Sequence, residues 1–242
     1  VARLFTYKTR RIHLFIAFFK KVVKLAAMNN GLGTTKTPSR WVGSAGYALI
    51  YLVLPGIIAV GQAPLLAFVG LWVVTLVLWR RIPWPGIARL SRHPDIGRII
   101  RRGGWVFVAL TLTVTHEARF AFPLQLPERY LVVMLFYPLL SVVPQEVFFR
   151  LLWPRVVPTY SPIITLVLSA LAFGWAHCVF LNPVAVGLSF LGGLLLADTW
   201  KKTRNWGLVC VEHTLYGWAV FTSGWGIYFY HGALQGMPKL FS

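Results

Sequence analysis

Acidic residues are scarce in this chain: only 6 of 242 residues are Asp or Glu, and charged residues of both signs make up 12%. Soluble domains of this length carry about 25% charged residues, so a water-soluble globule is excluded. Asp95 and Asp198 are the only aspartates, and Asp95 sits in a basic loop, which excludes an aspartyl dyad. Cys178 and Cys210 both fall inside apolar runs and read as small packing residues, not as reporters of redox compartment. There is no Gly-x-Ser-x-Gly elbow and no His-Glu-x-x-His helix. No internal repeat of the transporter kind is visible, and the first thirty residues lack the clean apolar core of a secretory signal.

What is present is hydrophobic and basic. The chain is 57% hydrophobic with 11 Trp, the composition of a multi-pass membrane protein. Lys and Arg number 24, for a formal net charge of +18, and they lie in segments flanking apolar runs. That placement fits the positive-inside pattern and contact with anionic lipid; no compact basic and aromatic module argues for nucleic acid.

Residues 1–27 alternate Lys20, Lys21 and Lys24 with Ile12, Phe15, Ile16, Phe19 and Val23 at helical spacing. The pattern predicts an amphipathic interfacial helix on an anionic membrane surface, joined by a polar linker ending near residue 40 to a transmembrane domain over 41–242. Apolar runs follow at about 43–61, 63–79, 104–118, 130–153, 161–180, 183–200 and 205–230. The expected fold is therefore an all-α, polytopic membrane protein of about seven transmembrane helices. Arginines at 80–102, Arg155, and Lys201, Lys202 and Arg204 alternate with base-poor connections, which places the N-terminus in the cytoplasm of a cell-membrane protein.

Chemistry concentrates at Pro144-Gln145-Glu146-Val147-Phe148-Phe149-Arg150. Glu146 and Arg150, four apart, share a helix face and can pair; ionisable groups at membrane depth are costly and read first as functional. Pro144 has no N–H to give and should kink or restart the helix there. His177 and His213 lie well inside two further apolar runs, so three helices can bring Glu146, Arg150, His177 and His213 to one polar site. Counting at 1.5 Å per residue puts Glu146 and His213 roughly 10–15 Å deep and His177 about 24 Å. Glu212, beside His213, reads as a structural carboxylate pairing with a neighbouring helix. Gly192-Gly193 reads as a close helix contact, and Trp175, Trp206, Trp218 and Trp225 as packing or belt residues.

Gln145-Glu146-x-x-x-Arg150, Phe173-x-x-x-His177 and His213, each in its own helix, resemble the CPBP family, the CAAX prenyl proteases and the bacteriocin-processing or immunity (Abi) proteins. The resemblance covers about residues 130–220. It implies an all-helical, glutamic-type intramembrane endopeptidase in which a Glu and the second-motif His activate water, and the third-motif His with an Asn four residues later stabilises the oxyanion. Two positions depart from it: Gln145 stands where the family has its first Glu, and Gly217 where it has that Asn. The catalytic set implied is Glu146, His177, His213, Arg150 and Gln145, with Glu146 taking over the water. Neighbouring helical residues point ~100° apart, so that takeover requires a rotation or break near Pro144. No cofactor is implied; a zinc site of Glu146, His177 and His213 is the minor alternative. The expected substrate is a membrane-associated or lipid-anchored peptide. The alternative function is an inactive relative that binds a peptide or partner in the same cavity.

Overall fold

Three helices begin where a short polar side chain can take the first free N–H groups. Ser161, Asn182 and Asn205 each accept from the backbone N–H three residues on, and Pro162 and Pro183 follow the first two at positions that need no donor. The computed structural model describes residues 48–61, 64–79, 90, 93–153, 157 and 161–229. Within them the chain is helical and contains no strand: α1 (Leu49–Val60), α2 (Pro64–Trp79), α3 (Ile96–Leu112), a short α4 (Ala121–Gln125), α5 (Pro127–Leu152), α6 (Pro162–Phe180), α7 (Pro183–Thr203) and α8 (Trp206–Ser223). The predicted amphipathic helix over 1–27, its linker and the tail from His231 lie outside the described residues.

Helices α5, α6 and α7 are long and apolar enough to cross a bilayer, and α1 and α2 carry shorter apolar stretches. The protein is an all-α membrane bundle. Two predicted boundaries move. The run expected at 104–118 is a helix at Ile96–Leu112 that takes in Arg98, Arg101 and Arg102, because Arg98 and Arg102 find carboxylates on other helices. The last run ends at Ser223, where Gly224 adopts φ +113° with the Ala118 carbonyl against it, a close approach that leaves no room for a Cβ.

α6 packs along α7 and α3 along α8. Gly193 permits the first contact, since a Cβ there would meet the Ala170 Cα at 3.2 Å; Gly192 has open space and contributes nothing to it. Arg102 on α3 reaches Glu212 on α8 at 2.9 Å and Asp198 on α7 at 3.4 Å. Lys202 pairs with the same Asp198 at 2.8 Å. Glu212 is thus the structural carboxylate the sequence suggests. These ion pairs also set the start of α3 and the end of α7 at one end of the bundle.

α5 is continuous through two prolines, widening into π-turns at Pro138–Val142 and Val147–Leu152. A proline at position i orphans the carbonyl at i−4, which water cannot satisfy at membrane depth. Here indoles do so: Trp72 Nε1 donates to Leu140 O at 3.0 Å, opposite Pro144, and Trp218 Nε1 to Met134 O at 3.1 Å, opposite Pro138. Trp175 and Trp225 likewise donate to the carbonyls of Leu52 and Leu110. These indoles satisfy the backbone as well as pack.

Candidate active site

Pro144 and the π-turn after Glu146 set the register of the site. Gln145 and Glu146, adjacent in sequence, point to different surroundings. Glu146 is fully buried, with Oε2 3.0 Å from Arg150 Nε and Oε1 2.8 Å from His213 Nδ1. Arg150, also buried, donates from Nη1 to Ser169 Oγ on α6 at 2.7 Å. The carboxylate is therefore clamped between a guanidinium one turn on and an imidazole from α8. Its contact with Arg150 is ionic, without the alignment of a directed hydrogen bond.

Beside this buried group lies a cavity of about 500 Å³, bordered by α1, α2, α5, α6, α7 and α8. Its wall is largely aliphatic and aromatic, and the polar groups that reach it include Gln145, His177, His213, Tyr137, Ser141 and Tyr216. The expected convergence of α5, α6 and α8 is present, but with one correction. Neither Glu146 nor Arg150 lines the cavity. The expected takeover of the water by Glu146 does not fit this placement: π-turns widen α5 without turning Glu146 outward, and both carboxylate oxygens are engaged by cations or imidazole. Gln145 is the member of the pair on the cavity wall; its Nε2 donates to Ser141 Oγ at 2.8 Å, and its Oε1 has no hydrogen-bond partner among the described residues.

The two imidazoles share the cavity despite their different depths counted along the sequence. His177 begins the 3-10 turn that ends α6, and its Nδ1 lies 2.8 Å from the Phe173 carbonyl. A carbonyl only accepts, so Nδ1 carries the hydrogen and Nε2 of the neutral ring is left as an acceptor. His213 is fixed in the same sense by the Glu146 carboxylate. Phe173 stands between the rings, 4.9 Å from His177 and 5.4 Å from His213 by centroids. Among the described residues no three His, Cys, Asp or Glu side chains gather as a metal would require.

Tyr137 is a cavity residue that the motifs do not point to. Its ring meets His213 edge-on with centroids 6.1 Å apart, and it fills the space that a side chain at position 217 would need. The available signal was the absence of a side chain at Gly217, one turn beyond His213.

Fold and site together define a helical membrane protein with a histidine-lined internal cavity backed by a buried carboxylate. Residues 127–219 match the family described as Rce1-like, type II CAAX prenyl endopeptidase, which agrees with the resemblance to the CPBP group. The match runs from the start of α5 into α8 and takes in Gln145, Glu146, Arg150, His177 and His213. No curated protein and no solved structure matches the chain.

Proposed function

We propose that the chain is an intramembrane endopeptidase of the CAAX-protease type, hydrolysing a peptide bond in a membrane-associated or lipid-anchored peptide. The observation that carries this reading is the pairing of His213 Nδ1 with the buried Glu146 carboxylate at 2.8 Å beside a cavity of about 500 Å³. A carboxylate on Nδ1 holds the tautomer whose Nε2 can accept a proton and stabilises the imidazolium that results, without itself being protonated. In the reaction, water gives a proton to His213 Nε2 as its oxygen bonds to the peptide carbonyl carbon, and the carbonyl π pair moves onto oxygen. When that pair returns, the C–N bond breaks, and the imidazolium hands its proton to the departing nitrogen.

His177 Nε2 is a second acceptor on the cavity wall, suited to receive a hydrogen bond from the substrate, and Gln145 contributes an amide to the same wall. Glu146 and Arg150 act through His213 as positioning residues. Water-excluding apolar walls strengthen each of these contacts. The end of the bundle carrying Arg98, Arg101, Lys201 and Lys202 would face the cytoplasm and anionic lipid by the positive-inside rule, with the N-terminus on that side. No cofactor enters the scheme.

The test is purified protein in lipid nanodiscs with a library of membrane-bound peptides in ¹⁸O-water. Cleavage that places one heavy oxygen in the new carboxylate, and that disappears in His213→Ala and His177→Ala, supports the proposal; no cleavage by the wild type overturns it. A second reading, a non-catalytic peptide-binding protein such as an immunity protein, is favoured by one observation: among the described residues the cavity wall carries an amide at Gln145 and no carboxylate. Peptide binding without cleavage, unchanged by His213→Ala, would select it.

A further inference from the structure

A cavity that hydrolyses amides must stabilise an oxyanion, and Tyr137 is placed to do so. Tyr137 closes the first α-helical part of α5, and Pro138 opens the π-turn that follows it. Its ring enters the notch left by Gly217 so closely that a Cβ on Gly217 would overlap its Cε1, Cζ and hydroxyl oxygen. Packing against Phe221, with centroids 5.5 Å apart, and against His213 fixes the ring on both sides. The residue lines the cavity, and its hydroxyl makes no hydrogen bond among the described residues. Buried phenols ordinarily find a partner, so a fixed and unspent O–H next to the proton-accepting imidazole is poised for a ligand atom.

We infer that Tyr137 is a catalytic residue whose phenol O–H donates a hydrogen bond to the carbonyl oxygen as it becomes the oxyanion, in space that Gly217 makes available. The inference rests on the proposed peptidase activity. The phenol keeps its proton throughout: His213 takes and returns the proton that moves, and Tyr137 stabilises the charge that develops on oxygen. Preorganised donors of this kind contribute mainly to kcat, because they strengthen in the transition state.

The experiment compares wild type, Tyr137→Phe, Tyr137→Ala and Tyr137→Ala/Gly217→Asn in nanodiscs on a peptide cleaved by the wild type. Tyr137→Phe keeps the ring in the notch, so a residue that only packs would leave kinetics unchanged. The expected result is a fall in kcat of about 100-fold or more with KM nearly constant. The double variant fills the emptied notch with a carboxamide N–H donor, and should recover at least tenfold over Tyr137→Ala. A Tyr137→Phe protein as active as wild type overturns the inference and leaves the peptidase reading standing. A wild type that cleaves nothing overturns both. If Tyr137→Phe is unfolded by thermal melting, the pair Tyr137→Ala and Tyr137→Ala/Gly217→Asn decides: no recovery in a folded double variant overturns the inference.

Discussion

His213 Nδ1 and Glu146 Oε1, from α8 and α5, lie 2.8 Å apart in a buried contact. The carboxylate accepts, so the hydrogen sits on Nδ1 and Nε2 is bare in the neutral ring. In ¹⁵N-histidine NMR of the protein, His213 should show this single tautomer. Glu146→Gln should mix the tautomers, because an amide can meet Nδ1 as donor or acceptor. A single unchanged tautomer in Glu146→Gln would mean that Glu146 does not orient the ring.

Arg150 and Ser169 set the stability of the same cluster. Removing the guanidinium in Arg150→Ala leaves the buried Glu146 facing only His213, and breaking a buried ion pair costs about 3–5 kcal/mol. Ser169→Ala removes one acceptor 2.7 Å from Arg150 Nη1 and should cost about 1–3 kcal/mol. Unfolding in mixed detergent checks both, with Arg150→Ala predicted to be the more damaging.

The indoles that cap proline-orphaned carbonyls make a separate prediction. Trp72→Phe and Trp218→Phe keep most of the packing but strand the carbonyls of Leu140 and Met134, each at about 1–3 kcal/mol. Trp105, 68% exposed on α3, serves as the control, and Trp105→Phe should leave the melting temperature unchanged.

Gln145→Glu distinguishes a working site from a decayed one. It places a carboxylate on the wall of the cavity that His177 and His213 also line, the group that the resemblance to the CPBP group associates with water. With His213 as base, kcat should change by less than about tenfold, since proton transfer already has an acceptor. A thousandfold gain would show that the base is missing from the native chain.

Local chemistry was legible in the sequence and register was not. The apolar runs beginning near 161, 183 and 205 anticipate α6, α7 and α8, and the polar residues Glu146, Arg150, His177 and His213 stand out against such runs. The start of α3 was hidden because Arg98 and Arg102 read as loop charges until their partners Asp198 and Glu212, on distant helices, are seen. The direction of Glu146 depends on π-turns whose wider spacing has no residue signature beyond the prolines. Tyr137 is signalled only by the missing side chain at Gly217, and nothing in the sequence says which residue of another helix fills that notch.

The central claim is that Glu146 serves hydrolysis through His213 without touching the water. Steady-state kinetics of Glu146→Gln against wild type, on one cleaved peptide in nanodiscs, tests it most directly. The account predicts a drop in kcat of about 10⁴-fold with KM little changed, the loss seen when the carboxylate behind a catalytic histidine becomes an amide. A folded Glu146→Gln protein that turns over at the wild-type rate would contradict it.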